Sequence, residues 1–261
     1  MKKNNIIVKK KQKGLTYLYI NRPKVKNALN IEMIDEIKET LKVLKSDSSV
    51  RVLIITGKDD CFSSGADLKW MESSKKLDFK DNKRDAIKFA EMLKEIEEFP
   101  KPTISLVNGH AFGGALGIIA VTDYSIADKN AKFSFSEVKL GIIPAMIGPY
   151  ILRNIGLKNC KKLFLTGEIF DAVEAKEINL INEILTPDLF DNYISILFLK
   201  LLKGSPKAQT EIKKFLIAIN SKYIDKDLID KTAEEIARIR ISEEAQEGLN
   251  AFLEKRKPGW I

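Results

Sequence analysis

The chain has 261 residues, 44% of them hydrophobic, and two cysteines, Cys61 and Cys160, that offer neither a disulfide framework nor metal-ligand spacing. Its net charge is +8, but only seven of the 44 basic residues are arginine and the lysines are scattered among Asp and Glu, which argues against a nucleic-acid partner and suits a phosphorylated small molecule or plain solubility. One histidine, His110, excludes multi-histidine metal sites; no apolar run is long enough to span a bilayer and residues 1–13 lack a secretory apolar segment, so a soluble, cytoplasmic protein with no membrane partner is expected.

Ile6 to Val8 and Leu15 to Ile20 read as short strands, the second with alternating apolar residues. Asn21-Arg22-Pro23 breaks the pattern. A helix is predicted from Ile31, capped by Asn30, with Ile34, Ile37, Leu41 and Leu44 at helical spacing. Val50 to Thr56 reads as a strand of the kind buried in a parallel sheet, apolar from Val52 to Ile55. Residues 57–65 read as a loop, Leu68 to Ser74 as a short helix, and Leu77 to Asp85 as a polar, mobile segment. An amphipathic helix from Ala86 to Phe99 is stopped by Pro100 and Pro102. Strand Thr103–Val107 follows, then a Gly-Gly pair and a helix over Ala115 to Val121 that is small or apolar all round. Tyr124 to Ala127 and Lys132 to Phe135 read as strands, 147–155 and 158–165 as short helices, and Asp171 as the cap of a helix to Ile178 before a strand at 181–184. This recurrence of strands and helices predicts an α/β fold. After Pro187 the pattern is all helix (187–203, 206–221, 227–241 and 242–255), so the one expected boundary divides 1–186 from 187–261.

Three stretches carry chemistry. Gly113-Gly114 opens a buried helix, where free N–H groups and the positive end of the peptide dipole can face an anion or a polarised carbonyl. Cys61 to Met71 is a second loop of small residues entering a helix, with the Ala66 N–H free after Gly65 and Asp67 in the first turn. Two such donor loops are what an oxyanion hole requires. Glu137 is a lone carboxylate between apolar residues, a setting that raises its pKa and suits proton transfer. His110, read as lying in a tight turn, is taken as structural: there is no G-x-S-x-G motif to make a triad with Ser63 or Ser64, and Cys61 is no better as a nucleophile.

Taken together these residues resemble the crotonase (enoyl-CoA hydratase/isomerase) superfamily. The matching segments are Asn21-Arg22-Pro23-Lys24 with Asn27-Ala28-Leu29, Phe62 with Gly65-Ala66-Asp67-Leu68, Val107-Asn108-Gly109 with Gly113-Gly114, Glu137 with Leu140 to Pro144, and Glu247-Gly248 with Ala251 to Pro258. Ala66 to Met71, Ala111 to Gly117, Ser136 to Ile147 and the ending Ala251 to Trp260 are most similar to the bacterial methylglutaconyl-CoA and carboxygeranoyl-CoA hydratase-like branch.

The resemblance implies a crotonase (ClpP-like) spiral of ββα units holding the CoA and catalytic site, with a helical C-terminal region, 187–261, that builds homotrimers or hexamers. It implies that the N–H groups of Ala66 and Gly114 grip the oxygen of an acyl-CoA thioester, and that Lys24, Val25, Ala66, Asp67, Leu68, Gly114 and Gly117 bind substrate. Lys255 or Lys257 could meet CoA phosphates. No separate cofactor is implied, coenzyme A being part of the substrate. Hydratases of the family carry two catalytic glutamates; one matches Glu137, but the other position, three residues after Gly114, is Gly117. The expected activity is hydration of an enoyl-CoA, with a branched or 3-methylglutaconyl-type acyl group of leucine or acyclic terpenoid breakdown. A Δ3,Δ2-enoyl-CoA isomerase working with Glu137 alone, or a non-catalytic acyl-CoA-binding protein, are the alternatives.

Overall fold

The computed structural model describes residues 5–220 and 222–261. An antiparallel pair, β1 (Ile6–Lys10) and β2 (Leu15–Ile20), leads into α1 (Ile31–Ser46), whose N-cap Asn30 accepts from the Met33 N–H. Three turns of a spiral follow. The first is β3 (Val52–Gly57), β4 (Cys61–Ser63), α2 (Leu68–Ser74) and α3 (Phe79–Glu97). The second is β5 (Thr103–Val107), β6 (His110–Phe112) and α4 (Gly114–Val121). The third is β7 (Tyr124–Asp128), β8 (Lys132–Ser134) and, after a 3₁₀ turn over Ser136–Leu140, α5 (Gly148–Thr166). Then come β9 (Phe170–Asp171), α6 (Ala172–Glu177), β10 (Glu183–Leu185) and the helices α7 (Phe190–Leu202), α8 (Pro206–Ile219), α9 (Lys226–Arg240) and α10 (Glu243–Leu253).

Each turn gives one strand to each of two sheets. The larger has the order β1-β2-β3-β5-β7-β10, parallel from β2 onward; the smaller has the order β4-β6-β8-β9, with β4, β6 and β8 parallel. This is the ββα spiral that the resemblance implies. Both faces of the large sheet are covered. Leu53 and Ile55 of β3 point into the main core, with Ile34, Ile37 and Leu41 of α1, Leu93 of α3 and Leu116 of α4. Val52 and Ile54 point the other way, to a second cluster closed by Phe190, Ile194 and Phe198 of α7. That is why β3 is an unbroken apolar run rather than an alternating one.

Three readings are corrected. Residues 57–65 are not all loop, because β4 lies inside them. The helix expected from Ala86 starts at Phe79, capped by Asp78 through the Asp81 N–H, so most of the segment read as polar and mobile is its first two turns. His110 sits in β6 rather than a turn, and its Nδ1 accepts from the Lys132 N–H (3.1 Å). The two short helices expected at 147–155 and 158–165 are both present, as the halves of α5 on either side of a break at Gly156, whose φ is +74°.

Beyond Pro187 the helices differ in packing. Helix α7 is part of the second core, whereas Ala251 is the one buried residue described in α8 to α10. The core role of α7 has a measurable consequence. Phe198, nearly buried in the second cluster, should cost about 3–5 kcal/mol when replaced by Ala. Urea unfolding reads this as a lowered midpoint of the main transition. An unchanged midpoint would mean that α7 is a detachable layer.

Candidate active site

The smaller sheet is barely three residues deep, and its geometry builds the site. Strands β4, β6 and β8 run parallel, with Ser63 opposite Ala111 and Phe112 opposite Ser134. Their carboxyl ends therefore emerge side by side, the edge where parallel sheets place ligands. From β4 the chain enters Ser64-Gly65-Ala66, from β6 Gly113-Gly114, and from β8 Phe135-Ser136-Glu137. The Gly113 N–H donates to the Ser134 carbonyl (2.9 Å), extending the β6–β8 pairing by one residue.

The first two loops touch. A Cβ on Gly65 (φ +87°) would stand 2.7 Å from the Phe112 carbonyl oxygen and 3.8 Å from Gly113 Cα. Gly113 itself has φ +53° and ψ −127°, a conformation available to glycine, which turns β6 directly into α4. Ala66 is held on both sides: the Leu29 N–H donates to Gly65 O (2.7 Å), and the Asp67 N–H to Leu29 O (2.8 Å). Its own N–H, and that of Gly114 at the first position of α4, donate to no acceptor among the described residues. Two unspent donors thus lie on adjoining loops, one at the positive end of a buried helix. Such a pair can donate to an oxygen that is gaining negative charge.

The Glu137 carboxylate lies against the bare Cα of Gly113. A Cβ there would be 3.2 Å from Oε1 and 4.0 Å from Oε2. Oε2 is buried and has no hydrogen-bond partner among the described residues. Burial pushes the Glu137 carboxyl above the ordinary glutamate range, only partly opposed by a hydrogen bond from its own backbone N–H. The structure brings Ala66, Gly114 and Glu137 into one neighbourhood.

Gly117 lies one turn further along α4 and is buried. A Cβ on it would stand 2.4 Å from Ile147 Cγ2 and 3.1 Å from Leu93 Cδ1, so the position where a second carboxylate is expected is filled by Ile147. Asp67 is committed elsewhere. Its Oδ2 accepts from Arg22 Nη2 (2.8 Å) and its Oδ1 caps α2 through the N–H groups of Lys69 and Trp70. Burial pushes its pKa up, but Arg22 and these N–H donors outweigh it and hold the carboxyl below the usual range.

Lys24 and Val25 are exposed on the 3₁₀ turn Pro23–Val25, and Leu68 is exposed at the start of α2. The Ser64 N–H donates to Lys26 O (2.9 Å), which sets that turn beside the Ala66 loop. Cavities of about 400 Å³ between α1 and α3 and about 300 Å³ among α8 to α10 are lined by none of these residues.

The residues that hold the loops had no assigned role in the sequence. Asn27 donates to the carbonyls of Lys58 (2.8 Å) and Cys61 (2.6 Å), and its Oδ1 accepts from the Arg22 N–H (2.9 Å). Asn108 accepts from the Gly57 N–H (3.1 Å) and donates to Gly57 O (3.0 Å) and Asp59 O (2.6 Å). The available signal was an asparagine beside each turn, since its amide can substitute for a backbone pair.

Comparison with known proteins identifies the architecture. A model of the enoyl-CoA hydratase/isomerase family matches residues 10–261. A solved structure of an enoyl-CoA hydratase from Shewanella pealeana superimposes with a TM-score of 0.95 at 41% identity, covering 98% of this chain and 96% of that one. The crotonyl-CoA hydratase of Syntrophomonas wolfei is 34% identical over 98% of both chains. A trans-2-decenoyl-[acyl-carrier-protein] isomerase of Streptococcus mutans is 28% identical over 94% of both.

The packing at Gly117 can be probed without any substrate. Gly117→Ala places a methyl against Ile147 and should cost about 1–3 kcal/mol through overpacking. In an Ile147→Ala background the same change should cost less, a coupling that a double-mutant cycle of urea midpoints measures. Additive effects would show that the two positions do not press on each other.

Proposed function

This chain belongs to the enoyl-CoA hydratase/isomerase family, the crotonase superfamily, and we propose that it is an enoyl-CoA hydratase. The observation that carries this reading is the Glu137 carboxylate, unpartnered at Oε2 and lying against Gly113, one residue from an unspent N–H donor. The thioester oxygen accepts from the N–H groups of Ala66 and Gly114. Water oxygen adds to Cβ as the double-bond electrons move toward that oxygen, giving an enolate. Glu137, charged at the start, takes the proton that the water loses and delivers it to Cα, so the carboxylate is regenerated. One carboxylate then does the work that the family divides between two. Each N–H donor is worth about 3–4 kcal/mol at the transition state.

For the acyl group we propose a branched or 3-methylglutaconyl-type chain, as met in leucine breakdown. This rests on the likeness of Ala66 to Met71 and Ser136 to Ile147 to that branch. Lys24, Val25 and Leu68, exposed beside the donor loop, are suited to the CoA moiety, Asp67 and Gly117 contributing backbone rather than side chain. We further propose that 187–261 mediates assembly into trimers or hexamers. The apolar side chains that α8 to α10 leave exposed, including Ile212, Leu216, Ile236 and Phe252, support this.

The same single carboxylate favours a second reading. With Ile147 in the place of the other glutamate, Glu137 could carry a proton from Cα to Cγ and shift a double bond without water. Separate incubations with a 2-enoyl-CoA and a 3-enoyl-CoA decide. A product heavier by one water marks the hydratase; a product of unchanged mass with a moved double bond marks the isomerase; binding of both without turnover marks a non-catalytic acyl-CoA binder. Among crotonyl-, tiglyl- and 3-methylglutaconyl-CoA, the last should give the highest kcat/KM.

Glu137→Gln should lower kcat by about 10²–10⁴-fold, the usual contribution of an acid–base group. A loss under tenfold would remove Glu137 from the chemistry. Since the charged form acts as base, kcat/KM of the wild type should fall as pH drops through a midpoint above the ordinary glutamate value of about 4.3. Stability should run the opposite way. Between the ordinary and the raised pKa the folded state binds the proton more tightly than the unfolded chain, so the fold weakens as pH rises through that window. Glu137→Gln should therefore melt above the wild type at neutral pH and match it below pH ~4. Thermal melts of both proteins across the pH range check the sign.

A further inference from the structure

We propose that Arg22 is a positioning residue for the oxyanion hole, acting through Asp67 and the Leu29 pairing on the Ala66 N–H. The proposal rests on the oxyanion reading above and names a residue that sets its geometry. Ala66 sits in a minimal parallel pairing with Leu29, fastened by one hydrogen bond on each side, Leu29 N–H to Gly65 O and Asp67 N–H to Leu29 O. One guanidinium spans both partners of this pairing. Arg22 Nη1 donates to Ala28 O (2.5 Å) on one, and Nη2 to Asp67 Oδ2 (2.8 Å) on the other. The arginine is itself fixed at the backbone. Its N–H donates to Asn27 Oδ1 and its carbonyl accepts from the Asn27 N–H, both at 2.9 Å.

The pair is shielded, the side chains of Arg22 and Asp67 being 18% and 8% exposed. Its remaining bonds run to α2, through the other oxygen of Asp67. The direction of the Ala66 N–H is thus set by a closed frame of Arg22, Ala28, Leu29 and Asp67. Arginine suits the task because its planar fork reaches two acceptors at fixed separation, which an ammonium does not reproduce. A donor displaced by about 1 Å costs about 10²-fold in rate.

The test uses the full-length protein and acetoacetyl-CoA, whose enolate absorbs in the near ultraviolet and reports the strength of an oxyanion hole directly. The wild type should raise the bound enolate fraction. Arg22→Gln should lower that enolate equilibrium and kcat together, by about 10–100-fold, with KM changed less than about threefold. Arg22→Lys should recover part of both. Asp67→Asn, which keeps an oxygen for the helix cap but not the charge, should behave like Arg22→Gln. If Arg22→Gln does not fold, Arg22→Lys and Asp67→Asn decide by the same absorbance. Variants that melt lower yet keep the wild-type enolate equilibrium and kcat would overturn the proposal and leave the oxyanion reading standing. A wild type that binds acetoacetyl-CoA without raising its enolate would overturn both.

Discussion

The approach of two backbone loops, at Gly65 and Gly113, is the constraint from which the rest of the site follows. Neither residue takes a side chain freely: at Gly65 it would strike the Phe112 carbonyl, and at Gly113, where φ is +53°, it would press on the Glu137 carboxylate. The short strands β4, β6 and β8 make this approach possible, because three residues of parallel pairing bring three chain exits to one edge before the elements diverge. The large sheet and its two cores hold the small sheet in place, and the main core reaches the site through Leu29 and Ile147. The bare loops leave peptide N–H groups uncovered, and a helix buried on nearly all sides stands behind one of them. Preorganised dipoles in a dry surrounding stabilise developing charge without rearranging when it appears.

The same dryness works against the carboxylate. An ion with one oxygen buried and unpartnered is unfavourable in the folded state, which is what its raised pKa expresses. Asp67 shows the opposite solution within the same neighbourhood. Arg22 and two N–H donors saturate it, and it titrates low. A saturated carboxylate is a poor base and a good strut; an unsaturated one is a good base that weakens the fold. The two acidic residues are separated by their partners rather than by their chemistry.

How much of this could be read from the chain depends on the range of the interaction. The strands of the large sheet were legible because burial on both faces leaves unbroken apolar runs such as Val52 to Ile55. Helix α4 was legible because it is apolar all round, and the C-terminal helices because their period is strong. Of the small sheet only β8 was, at Lys132 to Phe135; β4 and β6 were missed, since three-residue strands such as His110–Phe112 are shorter than any periodicity can register. Helix α3 was started late because its first two turns are polar and exposed, although the Asp78 cap was present in the sequence. Among the site residues, Ala66, Gly114 and Glu137 stood out through local composition. The frame around Arg22 did not, because it joins residues 45 apart that only the fold brings together.

Gly117 carries the separation furthest. In the sequence it is an absence, a glycine where a second carboxylate is expected. In the fold it is one half of a contact whose other half, Ile147, comes from the residue preceding α5. A side chain introduced at 117 would have to displace a buried isoleucine that packs in the main core with Leu93. On the proposed reading the one-carboxylate site is therefore a property of two elements packed together, because a side chain in α4 at 117 requires Ile147 to shift. Close packing makes such contacts all-or-none: the space either belongs to Ile147 or to a second acid, with no intermediate arrangement at normal density. On the proposed reading, proton transfer is accordingly confined to the Gly113 side of the donor loops, where the bare Cα leaves room for the Glu137 carboxylate.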